Sequence, residues 1–401
     1  MKTFLLYSDK TPIILEQDLS LPIIIMQLVI KDKGTIGDTL ASTTYIYAKM
    51  LEEGTKTLGK AKITKELEEN AISIKFIPTQ EAFTIQIIAF KNKFKKGIKI
   101  LKNILQDPNF TSKIFKKQKT KTFSTILTKE ADFDYQSYYG LLGTIYNSCA
   151  AKPIIGTIQD LESLSLKDLE QKHNSILVKQ SAIFAFGGDI DEKMCQKFAQ
   201  EILDLMKNTP HKKPKALKPK TIQTPKVLKK NTTQSYISFG TFFQDEQEHL
   251  CNVASFVLAG GFGSRIMEEI RVKNGLAYSV WAKINQGKYI KNFVGGLQTS
   301  LETEKKAIEL LQETITKFVK NGITKEELQS AKNYYLGSEP IKEETMIKRL
   351  RRILRFVYLE KDLNENKKNL ERVKKIGLEE INAFVKKHDE INSLNFFIVN
   401  A

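Results

Sequence analysis

The chain has 401 residues, too many for one ordinary core, and two domains are the natural expectation. Hydrophobic residues make up 41% and charged residues 27%, a globular composition that excludes a disordered chain. The formal net charge of +17 points first to nucleic acid, but only seven of the 63 basic residues are Arg and the lysines are spread through every region. With no interleaving of aromatic and basic residues and no base-reading module, nucleic acid is not expected as a partner.

The N-terminus carries Lys2 and a brief Phe4-Leu5-Leu6-Tyr7 that Asp9 ends, which is no secretory apolar region. The longest apolar run, 21–30, contains Pro22 and Gln27 and is far too short to span a bilayer, so no membrane span is expected. The expected location is the cytoplasm, or the periplasm or exterior if a leader has been removed. Residues 21–30 read as a strand. A helix follows over 37–53, then a shorter one over 62–69, a strand pair at 71–76 and 83–90, and an amphipathic helix over 94–106. A strand at 182–186 runs into Gly187-Gly188-Asp189.

The composition shifts at 207–232, where prolines and lysines replace apolar periodicity, and this segment reads as an extended, solvated linker. Beyond it the order repeats. A strand at 235–243 is followed by helices at 246–259 and 264–273, a strand pair at 276–284 and 292–297, and a long helix over 301–320. Ala307, Leu310, Leu311, Thr314, Ile315 and Phe318 share one face of that helix. Thr299 with Glu302, and Thr324 with Glu327, have the spacing of capping boxes. A strand at 395–399 ends the half. The expected fold class is α+β. Two similar domains, 1–206 and 233–401, each form an antiparallel-rich sheet covered by helices, joined by the Lys/Pro-rich linker.

Cys149, Cys195 and Cys251 are far apart and form no Cys-x-x-Cys pair, which excludes a zinc ribbon or a disulfide framework. His173, His211, His249 and His388 are isolated from one another, and none has a second ligand at metal-binding helical spacing. The run 348–356 is basic and amphipathic, with Leu350, Ile353, Leu354 and Val357 on one face. It reads as a packed helix with a solvated basic side, or as a surface for an acidic partner.

The most specific stretch is 258–278, Leu-Ala-Gly-Gly-Phe-Gly-Ser-Arg-Ile-Met-Glu-Glu-Ile-Arg-Val-Lys-Asn-Gly-Leu-Ala-Tyr. All seven arginines lie past residue 264, so a chain that uses Lys by default reserves the rigid guanidinium fork for this half. The loop Gly260-Gly261-Phe262-Gly263 lacks the Gly-Lys-[Ser/Thr] of a phosphate loop. In the first half, Gly156-Thr157, Asp160-Leu161, 164–169 and 182–191 follow in a set order.

Together these segments resemble the insulinase/pitrilysin family of zinc metallopeptidases, over residues from about 12 to 399. The resemblance implies that Arg271 and Tyr278, seven positions apart, hold a peptide at its scissile bond. It gives Gly260, Gly261, Phe262 and Gly263 a substrate-contacting role, beside the plainer reading of a close-packed turn. In that family a His-x-x-Glu-His helix in the first half binds zinc just before a Gly-Thr turn. Counting back from Gly54-Thr55, those positions here are Tyr45, Ala48 and Lys49, which make no zinc site. The segment 111–129, where a third ligand is expected, has no Asp, Glu or His. No cofactor is therefore expected in this chain.

The chain looks like a non-catalytic, Arg/Tyr-bearing subunit of a two-subunit metallopeptidase, similar to the alpha subunit of mitochondrial processing peptidase. The implied partners are a zinc-bearing paralogue with His-x-x-Glu-His and an unfolded peptide. The alternative is a catalytically dead structural or interaction protein of the same fold.

Overall fold

The computed structural model describes residues 2–8, 10–211, 213–215, 217–220 and 225–401. They form two compact units. The first comprises Met1–Leu127, Lys152–Lys215 and Ile341–Leu363, and the second Thr128–Ala151, Ala216–Pro340 and Asn364–Ala401. Among the described residues no helix is long and apolar enough to cross a membrane.

The first unit holds a six-stranded sheet made of β1 (Lys2–Ser8), β2 (Thr11–Gln17), β3 (Ile23–Lys31), β4 (Ser73–Pro78), β5 (Ala82–Phe90) and β6 (Ala182–Gly188). Its order is β1-β2-β6-β3-β5-β4, antiparallel throughout except for the β2–β6 pair. The central strand β3 is apolar on both sides. Ile24, Met26, Leu28 and Ile30 enter a core shared with Phe83, Ile85 and Ile87 of β5 and Phe184 and Phe186 of β6. Ile25 turns the other way and packs with Ile14, Ile183 and Ala185 under Leu350, Leu354 and Tyr358 of helix Met346–Tyr358. A strand buried on both faces reads as a continuous apolar run rather than an alternation, which is why 21–30 has no period of two. Gly188 sits at φ +109°, and a Cβ there would lie 1.9 Å from the Ile23 carbonyl oxygen, so only glycine closes this end of β6. Helices Ser42–Leu51, Lys91–Gln106 and Glu192–Leu203 cover the main core face, the second with Phe94, Ile98, Leu101 and Leu105 at helical spacing.

The second unit has a five-stranded sheet made of β7 (Lys226–Lys229), β8 (Gln234–Phe242), β9 (Val280–Gln286), β10 (Lys291–Ser300) and β11 (Asn395–Asn400), in the order β7-β11-β8-β10-β9. Only β7–β11 is parallel. Ile237, Phe239, Phe293, Leu297, Phe396 and Ile398 face a core shared with helices Glu248–Ala259, Glu304–Asn321 and Leu378–Lys387. The opposite face takes one helix, Phe133–Ile145. Its Ser137 hydroxyl meets that of Ser238 at 2.9 Å, and Gly140 lies so close to Phe397 that a Cβ would come within 2.5 Å of the ring.

Both sheets are therefore α+β sandwiches with a helical layer on one face and a single helix on the other. In each, that single helix comes from the other half of the sequence. Residues 128–151 belong to the second unit and 341–363 to the first, where two consecutive halves had been expected.

Several local expectations need correcting. Thr299 is not a cap; it lies in β10, is buried, and donates its hydroxyl to the Leu276 carbonyl at 2.6 Å. The helix starts at Glu304 with Thr303 before it, so Glu302 has no capping role. The capping box of Thr324 and Glu327 does form, with reciprocal bonds of 2.7 and 3.2 Å. The segment 207–232 includes residues 212, 216 and 221–224, which lie outside the described residues. Its remaining parts are not a free linker: Lys207 bridges to Val178, Pro219 bridges to Tyr146, and 226–229 is strand β7. The hairpin β1–β2 had no counterpart in the sequence reading.

Candidate functional site

Two places in the chain correspond to the two halves of the expected chemistry. The first is helix Ser42–Leu51. Ala48 is completely buried in the core and carries no donor atom. Tyr45 packs against the same core from its edge. Lys49 is spent on Glu52, which its ammonium meets at 2.9 Å, and it lies 5.7 Å from the centre of the Tyr45 ring. Beneath the end of this helix Glu53 is buried, its side chain 1% exposed. The carboxylate accepts from Lys60 at 2.9 Å, from Lys117 at 2.7 Å and from Gln118 at 2.8 Å. Burial alone would raise its pKa, but the bonds from Lys117 and Lys60 outweigh that and hold it below the ordinary carboxylate value. Lys117 and Gln118 lie on helix Ser112–Glu130, within the segment expected to lack a third ligand. An ion-pair node joins the two helices there. Among the described residues no group of three His, Cys, Asp or Glu side chains is placed to hold a metal ion.

Three of the four isolated histidines are held by carboxylates and hydroxyls instead. His211 bridges Asp32 and Ser181, both at 2.6 Å, and His388 bridges Asp245 at 3.1 Å and Glu390 at 2.7 Å. His173 meets the buried Tyr47 hydroxyl at 3.0 Å.

The second place lies in the second unit. The helix expected over 264–273 is in large part a π-helix, Met267–Lys273. Wide turns of this kind are rare and collect at functional positions. The chain leaves it through Asn274 and Gly275, with Gly275 at φ +61°. The Gly275 N–H donates to the Arg271 carbonyl at 3.1 Å and the Leu276 N–H to the Ile270 carbonyl at 2.9 Å. This turn brings Tyr278 back beside Arg271. The guanidinium carbon of Arg271 lies 5.2 Å from the Tyr278 ring centre and 5.2 Å from that of Phe262. Both rings stand in solvent, Phe262 at 73% and Tyr278 at 82% exposure. Among the described residues Arg271 has no hydrogen bond or ion pair, so its N–H edge is unspent.

Arg265, six residues earlier, is the opposite case. It forms two parallel bonds of 2.7 Å to Glu327 and lies over Phe318 at 5.4 Å. It anchors the helix start in the core. Within the loop, Gly260 is a close-packing residue, since a Cβ would lie 2.5 Å from the Phe256 Cα, whereas Gly261 and Gly263 face open space. The structure thus brings Arg271, Tyr278 and Phe262 together. The resemblance gave Phe262 a substrate-contacting role, but its place as a ring flanking Arg271 was not read from the sequence.

The fold defines the class: two α+β units, each with a mixed sheet, a helical layer and one exchanged helix. Residues 37–134 match the family described as insulinase (peptidase family M16), and residues 163–335 match the description peptidase M16 inactive domain. A Helicobacter pylori protein described as the non-peptidase homolog YmxG is 34% identical over 397 residues, covering 98% of this chain and 92% of that protein. A Bacillus subtilis protein described as an uncharacterized zinc protease YmxG is 24% identical over 343 residues, with 81% and 82% covered. The crystal structure of a peptidase M16 inactive domain from Pseudomonas fluorescens superposes with a TM-score of 0.91 at 17% identity, over 100% of this chain and 98% of that one. The chain belongs to the M16, or insulinase, peptidase family. Zinc, which the family implies, does not fit the residues present: a buried methyl, a phenol and a lysine already paired with Glu52 occupy its positions.

Proposed function

We propose that this chain is the non-catalytic, substrate-binding subunit of a two-subunit zinc metallopeptidase acting on unfolded peptides. The observation that carries this reading is Arg271, held between two exposed rings with its donors unspent. Peptide hydrolysis builds negative charge on the scissile carbonyl oxygen, and positioned N–H and O–H donors stabilise it. Stacking fixes the guanidinium plane, so less freedom is lost when the fork engages a substrate oxygen. The Tyr278 hydroxyl supplies a second donor on the same corner. A paralogue with an intact His-x-x-Glu-His helix supplies the metal. Gly261, Phe262 and Gly263 present an apolar surface to the peptide beside the donors.

The test is assembly and turnover. Native mass spectrometry of this chain mixed with each His-x-x-Glu-His paralogue of its genome should show a heteromeric species, and that species should cleave an unstructured fluorogenic peptide that this chain alone leaves intact. Only separate species with every paralogue would end the subunit reading in favour of a structural or interaction role.

A further inference from the structure

Helix Met346–Tyr358 covers only part of the outer face of the first unit's sheet. It rests chiefly on β6, β2 and β3, through Leu350, Leu354 and Tyr358. The face continues onto β5 and β4, where Thr84 stands in register between Val29 of β3 and Ile77 of β4. Beside the helix this strip forms a pocket of about 460 Å³, with those three side chains in its lining. The helix wall adds Leu354, Arg351 and Arg355, and the β4–β5 turn adds Glu81. The size falls in the range of small-molecule sites, roughly 300–1,000 Å³.

The charge around this pocket is uneven. Arg349 is spent on Glu16 at 2.6 Å, and Arg352 pairs with Glu343. Arg355 and Glu81 are each engaged with neighbours. Arg351 is exposed and has no polar partner among the described residues. Lys75, two residues before Ile77 on β4 and so on the same face, is exposed and likewise unpaired among them. The unspent charge at the rim is that of Arg351, with Lys75 further along the same face, and the lining sets Val29, Ile77, Ala82 and Leu354 beside Gln27, Thr79 and Thr84. In a chain that places Lys almost everywhere, an Arg at the rim offers a planar fork suited to a carboxylate.

We propose that this pocket binds a small anionic amphipath, a carboxylate on an aliphatic body. The carboxylate sits on Arg351 and the hydrocarbon covers Val29, Thr84 and Ile77. The site is separate from Arg271 and Tyr278, and its occupation does not depend on the peptidase reading.

The experiment is calorimetric titration of the full chain with decanoate, with decanol and decyltrimethylammonium as probes of the same body and different head. Decanoate should bind saturably at one site per chain. Arg351→Gln, an exposed change that leaves the fold untouched, should weaken it about tenfold, the usual loss for a charge-assisted bond. Decanol and the cationic probe should bind at least as weakly to the unaltered chain. Thr84→Trp, which fills the floor and keeps every charge, should abolish binding, with circular dichroism reporting that the fold is retained. No saturable heat with decanoate would overturn the proposal. So would equal affinity for the three probes, or undiminished affinity in folded Thr84→Trp.

Discussion

Ala48 is sealed in the core and Lys49 is tied to Glu52, whereas Arg271 keeps its donors open between rings exposed to 73% and 82%. Both positions are those to which the resemblance read from the sequence assigned peptidase chemistry. In the first unit Ala48 and Tyr45 are engaged in packing, Lys49 in a pair with Glu52, and Glu53 beside them in an internal ion-pair node. In the second an exposed aromatic pair flanks a charge that has no ionic partner among the described residues. Solvent-exposed large rings contribute little to folding, and the two beside Arg271 are the basis of the substrate-binding proposal. The same contrast recurs within one helix, where Arg265 is spent on Glu327 and Arg271 is not. The first unit is closed at Ala48 and Lys49, while Arg271 of the second stands open.

The largest expected effect separates these two regions by activity. In the assembled complex Arg271→Ala and Tyr278→Phe should each lower kcat by roughly 100-fold, the usual size for one donor to a developing oxyanion. Both side chains leave the core untouched, so assembly measured by size-exclusion chromatography should not change. Arg271→Lys should rescue only in part, because an ammonium lacks the fork. Unchanged kcat/KM in all three variants would make the corner structural. Tyr45→His with Ala48→Glu and Lys49→His should still hold far less than one zinc per chain by elemental analysis. The Ala48 position is walled by core side chains, and helix Ser112–Glu130 turns Lys117 and Gln118 towards the end of this helix. Stoichiometric zinc in that variant would show the closed site to be only lightly disguised.

The next effect is on stability. Glu53→Ala strands Gln118 and removes the node between two helices, and should cost about 3 kcal/mol, the low end for breaking a buried pair, because both lysines are partly solvated. Chemical denaturation reads this directly. Arg271→Ala should change stability by less than about 0.5 kcal/mol, as exposed side chains without partners do. Similar losses for the two variants would erase the contrast between a closed and an open region.

The sequence made much of this legible. The apolar runs of β3, β6, β8 and β11 and the amphipathic helices announce themselves by period and by length. The Arg/Tyr spacing across Asn274-Gly275 predicts a turn that brings the two together, and the turn does so. What was hidden depends on distant contacts. The exchange of helices Phe133–Ile145 and Met346–Tyr358 cannot be read locally, because an amphipathic helix does not say which sheet its face will meet. Strand β7 is only four residues long and largely exposed, and among the described residues it pairs with its parallel partner β11. Thr299 and Glu302 have cap spacing, but the β10 ladder runs through Thr299 and tertiary pairing prevails over the local signal. The Glu53 node joins residues more than 60 positions apart, and a lysine-rich helix gives no hint of which lysine will be spent. The π-turn geometry at Met267–Lys273 has no local sequence signature at all.

A smaller effect tests the difference between the two arginines of the second unit. Arg265→Lys should cost about 1 kcal/mol, since one of two parallel charge-assisted bonds to Glu327 is lost and the contact with Phe318 weakens. Arg271→Lys should cost nothing measurable in the isolated chain. Melting curves of the two variants side by side would show it, and a destabilised Arg271→Lys would mean that the corner also supports the fold.

The smallest expected effect is in pH dependence and belongs to the closed region. Burial raises Glu53, and the bonds from Lys117 and Lys60 lower it further than burial raises it, so the folded chain holds this carboxyl below its ordinary value of 4.5. A group that gives up its proton more easily in the folded state contributes its full stability above the unfolded pKa and loses it as pH falls through the folded one. The gap in Tm between the unaltered chain and Glu53→Gln should therefore be constant from neutral pH down to about 5, and should close at lower pH as the carboxyl is protonated and comes to resemble the amide. Lys117→Met removes one of the lowering bonds, so in that background the gap should be smaller at neutral pH and should finish closing at a higher pH. Thermal melts of the four chains across the acid range would measure this, with the double variant completing the cycle. A gap that stays constant to well below the ordinary carboxylate range in both backgrounds would mean that Glu53 acts through its shape and hydrogen bonds alone, and that the closed region is held by packing rather than by charge.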